Sequence, residues 1–479
     1  MMSEQRLQAY VRLIEQLLSC PQGQEEKILQ ANAEFVDAGL LEVMEQYAAH
    51  LESQGNSDAK RLQEFTAWLA RVVGLEPVSA SVLNDAAQFL LETLQLVYEN
   101  KGNPQQIYPI WAQQQAQFDE NLLVVLPTIA QHLLEEAEQR KFGAYVLAEF
   151  GNLIQRFPLG TRWLNLELGI AAYQQVLSVR TQATMPVEWA TTLINLANAY
   201  LYRIYGDRAE NLEQAMLINQ KALIVMTRQA KPIEWAAIMN NLANTYLNRI
   251  RGDRAENLEQ AIDCYQQATS VMTKTSMPIE WASALINLSN IYINRIRGDR
   301  AENIELAIEA CCQALTVITR ISMPVEWAAI RNNLAIAYHN RIQGDRAENL
   351  EQAIASYQQA LTVRTKENMP IEWAQSLMNL ATSHRERIRG DRAENIELAI
   401  TAYQQVLSVI TQRGLPIEWA ATMNNLGEAF TNRIRGDRSE NIELAIDSYY
   451  QALTVRTQRD MPIEWAQSLM NLANTYLQR

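Results

Sequence analysis

One short pattern, Pro-Ile-Glu-Trp-Ala with small changes, recurs along the chain and constrains its fold more than any other feature. Its prolines are Pro186, Pro232, Pro278, Pro324, Pro370, Pro416 and Pro462, each 46 residues after the one before, with no insertion or deletion. A period of this length is typical of stacked copies of one supersecondary unit. The pattern therefore predicts a solenoid.

The first half of a copy, taken at residues 232–277, predicts an amphipathic helix. Proline suits its first position, because the fixed φ is helical and no N–H is needed there. One face is apolar with a helical period: Trp235, Met239, Leu242, Tyr246 and Ile250. We expect Gly252 to end this helix with a positive φ. The seven tryptophans from Trp189 to Trp465 are expected to pack in the core.

The second half of the copy predicts another helix. Asp253 can cap its amino terminus, with Glu256 three residues later as in a capping box. Its apolar face is formed by Leu258, Ala261, Ile262, Tyr265 and Ala268. The Arg249 series could pair with the Asp253 or Glu256 series across the loop, and a solvated surface network is the default interpretation of these charges. Two antiparallel helices per copy, stacked on the next pair, predict an all-α solenoid.

These residues resemble a known repeat family. Leu242-Ala243 with Tyr246, then Ala261, Tyr265 and Ala268, followed by a proline, is similar to the tetratricopeptide repeat (TPR) pattern. The 46-residue copy resembles the long-repeat class that includes kinesin light chain. It is closer to the repeats found, mainly in cyanobacteria, ahead of a caspase-like CHAT protease domain. The resemblance covers about residues 141–479 and implies a right-handed TPR superhelix that binds proteins.

The repeats predict the domain organisation. Residues 1–140 are expected to form a helical N-terminal module, with helices near 4–18, 25–34, 38–53, 58–73, 82–99, 104–117 and 120–139. Residues 141–185 would be a degenerate capping repeat, 186–461 six full repeats, and 462–479 a half repeat with a first helix only. Trp465, Leu469, Leu472 and Tyr476 on that helix should then be partly uncovered. We expect the natural chain to continue past Arg479, and this one to fray or self-associate there.

The charge is concentrated in the N-terminal module. The whole chain has a net charge of −13, and residues 1–139, with 7 basic and 20 acidic residues, account for all of it. The array is neutral, so neither part is typical of a nucleic-acid-binding protein. The sequence contains no run of 18 apolar residues, so no membrane span is predicted. Residues 1–10 are too polar for a signal peptide. Free cysteines at Cys20, Cys264, Cys311 and Cys312, without metal-binding spacing, suit a reducing cytoplasm.

A stripe of asparagines on the first helices is the candidate binding site. Asparagine is a poor residue for a helix interior, so its recurrence needs a reason. The TPR resemblance implies that this stripe lines a concave groove that holds extended peptides, and a carboxamide can both donate to and accept from a peptide backbone. We define the amide stripe as Asn195, Asn198, Asn241, Asn244, Asn248, Asn287, Asn290, Asn294, Asn333, Asn340, Asn379, Asn425, Asn432, Asn471 and Asn474. The Asn195 series could instead bond to the neighbouring helix and tie copy to copy.

TPR proteins that hold carboxylate-ended tails use lysine and arginine beside asparagine in this groove. Here the stripe contains no lysine, and Arg331 and Arg385 are isolated. The resemblance therefore does not imply binding of such tails. No catalytic arrangement appears among the four histidines, and no cofactor or metal motif is present. The sequence thus predicts a non-enzymatic, cytoplasmic scaffold for a protein or peptide partner, with no nucleic acid and no membrane. Two alternatives remain: a sensor or regulatory region separated from a CHAT protease, and a structural spacer without a groove ligand.

Overall fold

The computed structural model describes residues 4–19, 28–29, 32, 35–36, 38–53, 58–72, 80–135 and 139–479. Within these ranges the chain forms 21 α-helices and no strand. The all-α solenoid predicted from the repeats is confirmed. Most of the predicted helix 25–34 and Cys20 lie outside the described residues. No helix of the described segments is both long and apolar enough to span a bilayer.

In the described part of the chain, six helices precede the repeats. They are α1 (Glu4–Ser19), α2 (Ala38–Ser53), α3 (Asp58–Val72), α4 (Ala80–Glu99), α5 (Pro104–Gln113) and α6 (Asn121–Glu135). The predicted helix 104–117 ends earlier, at Gln113, and a single 3₁₀ turn covers Gln115–Gln117. The amide of Gln114 already bonds to carbonyls three and four residues back, which closes the α-helix there.

The repeats follow as pairs of helices. The first helices are α7 (Arg140–Arg156), α9 (Pro186–Tyr202), α11 (Pro232–Asn248), α13 (Pro278–Asn294), α15 (Pro324–His339), α17 (Pro370–Glu386), α19 (Pro416–Thr431) and α21 (Pro462–Tyr476). The second helices are α8 (Arg162–Leu177), α10 (Arg208–Ala222), α12 (Arg254–Thr269), α14 (Arg300–Ala314), α16 (Arg346–Leu361), α18 (Arg392–Val406) and α20 (Arg438–Leu453). Each first helix except α21 packs on the second helix of its own repeat, and α21 packs on α20 of the repeat before it.

The chain divides into two compact units, residues 1–225 and residues 226–479. In the first unit, one core surrounds Trp111 and Phe150, and a separate core surrounds Tyr10 and Met44. In the second unit, a continuous core runs through the repeats and includes Tyr357, Tyr403 and Tyr449. Trp373 and Trp419 are half-buried against that core, as the packing prediction requires.

The turn between the two helices of a repeat has the predicted chemistry. Gly252 has a φ of +82°, and the glycines at the same place in the other repeats have similar values. The Asp253 carboxylate accepts the Glu256 N–H at 2.8 Å and so caps α12. The first helix, however, ends at Asn248, and Ile250 is 62% exposed rather than part of the apolar face. Arg249 takes an extended backbone conformation (ψ 129°), which breaks the helical period before Ile250.

The side of α21 that the sequence expects to be uncovered is partly exposed. Leu469 is 36% and Tyr476 is 41% exposed, whereas Leu472 is buried. One repeat earlier, the equivalent residues Met423 and Phe430 are each only 6% exposed. An apolar strip therefore faces solvent on this helix.

Candidate functional site

The amide stripe lies on the outward side of the first helices. None of its fifteen asparagines is buried. Six are exposed: Asn248, Asn290, Asn294, Asn340, Asn432 and Asn474. The other nine are half-buried, so each of these residues keeps part of its surface in contact with solvent.

Several of the half-buried amides bond between neighbouring repeats. Asn287 Nδ2 donates to Asn244 Oδ1 at 3.3 Å, and the same oxygen accepts the Tyr265 hydroxyl at 2.6 Å. In the first unit, Asn195 Nδ2 and the hydroxyl of Tyr173 both donate to Asn152 Oδ1, at 2.7 and 2.8 Å. Asn152 stands in the degenerate repeat and was not among the predicted site residues. These bonds are the contacts that the inter-repeat alternative requires.

Two more members of the Asn195 series bond to the preceding repeat through other residues. Asn333 Nδ2 donates to Ser289 Oγ at 3.2 Å. Asn471 Nδ2 donates to Asn424 Oδ1 at 3.4 Å, because the position that would match Asn244 is Glu428, which pairs with Arg385. The inter-repeat bond thus persists while its acceptor changes from copy to copy.

The exposed amides at the helix ends bond locally. Asn248 Nδ2 donates to the Asn244 carbonyl, and Asn294 Nδ2 to the Asn290 carbonyl, each at 2.8 Å. Asn340 and Asn432 make the same bond to the residue four positions back. Each of these side chains uses its donor on the last turn of its own helix. Its Oδ1 atom is then directed towards solvent as an acceptor.

Charged residues interrupt the stripe in the repeats that begin at Pro324, Pro370 and Pro416. Arg385, which looks isolated in the sequence, forms ion pairs with Glu386 and Glu428. Glu386 also accepts from Arg346 at 2.8 Å. His339 Nδ1 lies 3.0 Å from Ser383 Oγ, and burial lowers the pKa of His339 although Glu386 opposes the shift. At neutral pH this cluster therefore balances two guanidinium groups against two carboxylates.

A ladder of ion pairs, which the sequence prediction misassigned, ties neighbouring repeats together within each unit. Arg295 Nε and Nη2 bind the two oxygens of Glu259 at 2.8 and 2.6 Å. Equivalent pairs are Arg203–Glu167, Arg341–Glu305, Arg387–Glu351 and Arg433–Glu397. The expected pairing of this series with the Asp253 or Glu256 series is wrong. Arg297, two residues after Arg295, forms an ion pair with Glu256 instead, with its Nη1 atom 2.7 Å from Glu256 Oε2. A constant spacing of 36 residues between Glu and Arg was the available signal.

A second kind of junction contains a buried guanidinium. Arg364 Nη1 donates to Ser376 Oγ at 2.9 Å, and Ser376 in turn donates to Asn332 Oδ1 at 2.9 Å. Burial lowers the pKa of Arg364, because the charged form loses its hydration. Arg456 and Ser468 repeat the arrangement with Asn424. In the first unit, Arg180 likewise donates to Thr192 Oγ1 at 3.1 Å. The remaining copies hold an apolar residue at the arginine position, such as Met272.

The described residues offer no group of three or more His, Cys, Asp or Glu side chains that could hold a metal ion. Cys264 and Cys311 are buried, which raises the pKa of each thiol to about 12 and keeps both protonated. Neither thiol can therefore act as a nucleophile at neutral pH.

Comparison with known proteins agrees with the repeat pattern. The sequence profile of the tetratricopeptide repeat matches residues 235–269, 327–361 and 373–410. A solved signal-transduction ATPase of the STAND class from Pyrococcus horikoshii, which has a tetratricopeptide repeat sensor, is similar at 13% identity and a TM-score of 0.46. That match covers 98% of this chain and 65% of the other, so this chain spans less than two thirds of the ATPase.

A second solved structure, the APC/C hetero-tetramer Cut9-Hcn1, is similar at 14% identity with a TM-score of 0.42. It covers 99% of this chain and 96% of the other. No curated protein matches the sequence significantly. The matched segments coincide with three of the helical pairs described above, and the chain contains tetratricopeptide repeats in these segments.

Proposed function

We propose that this chain is a non-enzymatic interaction scaffold that binds an extended segment of a partner protein along the amide stripe. Tetratricopeptide repeats are in general interaction modules, and the matched profile supports that general role. The binding surface itself is inferred from the polar atoms that the stripe presents.

The observation that carries the proposal is how local bonds orient the exposed amides of α11 and α13. Asn248 and Asn294 commit their Nδ2 atoms to their own helices, so their Oδ1 atoms face outward as acceptors. Asn290 Oδ1 accepts from Asn294 at 3.1 Å, so Asn290 Nδ2 faces outward as a donor. An extended backbone alternates N–H donors and C=O acceptors, and orienting the amides in advance lowers the entropy cost of binding it.

The test is binding of the purified chain to an array of short synthetic peptides. The variant Asn248→Ala, Asn290→Ala, Asn294→Ala should weaken the captured peptides by about tenfold or more, because each lost bond is worth roughly 0.5–1.5 kcal/mol. These three side chains bond only to their own helices, so the melting temperature should hardly change.

The matched control removes three exposed amides from second helices: Gln220→Ala, Gln358→Ala, Gln404→Ala. It should leave peptide binding unchanged. Equal binding by the stripe variant and the control would contradict the proposal, as would a wild-type chain that captures no peptide.

The spacer alternative has its own support in the inter-repeat bonds of Asn287 and Asn333, which show that part of the stripe ties repeats together. A stripe that only joins repeats predicts that Asn287→Ala lowers the melting temperature and that no stripe variant affects peptide capture. The regulatory alternative rests on the CHAT resemblance, and the reading frame beyond codon 479 tests it. Self-association through the exposed side of α21 remains a prediction, which sedimentation of wild type and Leu469→Glu tests.

A further inference from the structure

Three aromatic side chains form an exposed cluster in the first unit, outside the amide stripe. Tyr98 is 49%, Phe142 is 42% and Tyr145 is 39% exposed. The rings of Tyr98 on α4 and Phe142 on α7 meet edge to face, with centroids 4.6 Å apart. Tyr145 lies one turn further along α7. We call these three residues the aromatic patch.

The aromatic patch is continuous with the first asparagines of the repeats. Phe142, Tyr145, Glu149 and Asn152 are spaced by 3, 4 and 3 residues, so they share one face of α7. Asn152 Nδ2 lies 3.4 Å from Glu149 Oε1, and Asn152 Oδ1 accepts from Asn195 of the stripe. Tyr145 occupies the position of Thr191 one repeat later, which begins the row that continues to Asn195.

The end of α4 closes against the same face. Gly102 approaches α7 so closely that a β-carbon there would lie 2.9 Å from Glu149 Oε2. Tyr98 thus contacts Phe142, which shares a face of α7 with Glu149 and Asn152, and Asn152 in turn bonds to Asn195. Its aromatic end offers large rigid rings at low cost in conformational entropy, which is typical of the residues that dominate binding energy at interfaces.

We propose that the aromatic patch binds an aromatic or large aliphatic side chain of a partner segment whose backbone lies on Asn152 and on Asn195 and Asn198, the members of the amide stripe in the first unit. This rests on the proposed function and adds a side-chain preference to it. Edge-to-face rings as at Tyr98 and Phe142 leave ring faces and edges open for a further aromatic ring. Backbone contacts alone would accept any sequence, so this patch supplies the discrimination between partners.

Charge defines the partner further. Helix α4 carries Asp85, Glu92 and Glu99 and no basic residue, and residues 1–139 contain 20 acidic and 7 basic residues. Lys101, Arg140 and Lys141 flank the aromatic patch itself. A partner segment is therefore favoured by basic residues only where it extends along α4 away from these cations, over Asp85 and Glu92.

The test uses the full chain and short synthetic peptides that it captures from an array. Each captured peptide is made again with its bulky apolar residues replaced by alanine, and with its basic residues replaced by glutamate. Both replacements should weaken binding to the wild-type chain by at least about tenfold. In the variant Tyr98→Ala, Phe142→Ala, the original peptide should bind as weakly as its alanine version does to wild type.

The control variant Leu217→Ala, Ile224→Ala removes two other exposed apolar side chains of the same unit and should bind like wild type. Melting temperatures of both variants show whether the fold is intact. Peptides captured equally well with and without bulky residues would overturn the aromatic patch while the scaffold proposal stands. A chain that captures no peptide overturns both.

Discussion

The guanidinium of Arg341 is held by the carboxylate of Glu305 through two parallel hydrogen bonds, Nε to Oε1 at 2.7 Å and Nη2 to Oε2 at 2.8 Å. The two residues belong to neighbouring repeats. Arg341 also reaches Asn349 in its own repeat, and Asn349 Nδ2 donates to the Gln343 carbonyl at 2.8 Å. One arginine thus connects the preceding repeat to the turn of its own.

The ion pair should contribute measurably to stability. Both side chains are about 30% exposed, so the coupling energy of Glu305→Gln with Arg341→Gln should be about 0.5–1 kcal/mol. A double-mutant cycle in urea measures it, and added salt should reduce it. The more exposed pair Arg297–Glu256 is the control and should couple less. A coupling energy near zero between Glu305 and Arg341 would show that the ion-pair ladder does not stabilise the fold.

The ladder also predicts how stability depends on acid pH. The guanidinium of Arg387 holds the pKa of Glu351 below its usual range, and Arg295 and Arg433 do the same for Glu259 and Glu397. These carboxylates stabilise the fold above their unfolded pKa of about 4.3, and that stability is lost as the pH falls through the lower folded pKa. In Glu351→Gln, the urea midpoint should fall less steeply between about pH 5 and pH 3. An unchanged slope would contradict the assignment.

A buried histidine, His384, should make the stability of the fold depend on pH in a higher range. Burial lowers the pKa of His384, and its Nδ1 atom has no hydrogen-bond partner. The unfolded chain therefore takes up the proton first, and stability falls as the pH drops below about 6.5. The equivalent residue one repeat later is Phe430, so a phenylalanine side chain should fit at position 384. In His384→Phe, the urea midpoint should depend less on pH between about pH 7 and pH 5. The exposed His132 is the control, and His132→Gln should change nothing.

The turn chemistry can be tested in one repeat. Asp299→Ala removes the cap of α14, where the carboxylate accepts the Glu302 N–H at 2.9 Å, and should cost about 1 kcal/mol of unfolding free energy. Gly298→Val places a branched side chain at a φ of +79° and should cost about 1–2 kcal/mol. Asp263→Ala, in the middle of α12, serves as the comparison. Losses no larger than that of Asp263→Ala would mean that the cap and the glycine do not matter.

The buried arginine junction offers a test with an internal reference. Ser376→Ala removes the acceptor of Arg364 and the donor to Asn332, and should cost about 1–3 kcal/mol. Two repeats earlier, the same junction consists of Asn240, Met272 and Ala284. The double variant Arg364→Met, Ser376→Ala copies that junction and should recover the loss in thermal denaturation. If the double variant is no more stable than Ser376→Ala, the lost stability does not come from the unpaired guanidinium of Arg364.

The sequence predicts well what depends on neighbouring residues along the chain. The proline starts, the aspartate caps and the positive φ of the glycines follow from local chemistry, and all are present. Ile250 was misplaced because Arg249 leaves the helix, which the apolar period does not reveal. Arg295 was paired wrongly because Glu259 lies 36 residues away and becomes its neighbour only when repeats stack. For the same reason, the sequence could not decide which asparagines bond across repeats.

The ion-pair ladder has a consequence for how such a chain can change its length. In the second unit, Arg295, Arg341, Arg387 and Arg433 each bind the glutamate of the copy before. The copies that begin at Pro278, Pro324 and Pro370 each carry one such arginine and one such glutamate. Removal of residues 324–369 in frame would bring Arg387 opposite Glu305 in place of Arg341. Insertion of a copy would likewise supply one new arginine and one new glutamate. Unequal recombination between copies therefore creates longer and shorter proteins in which no charge is left without its counterpart.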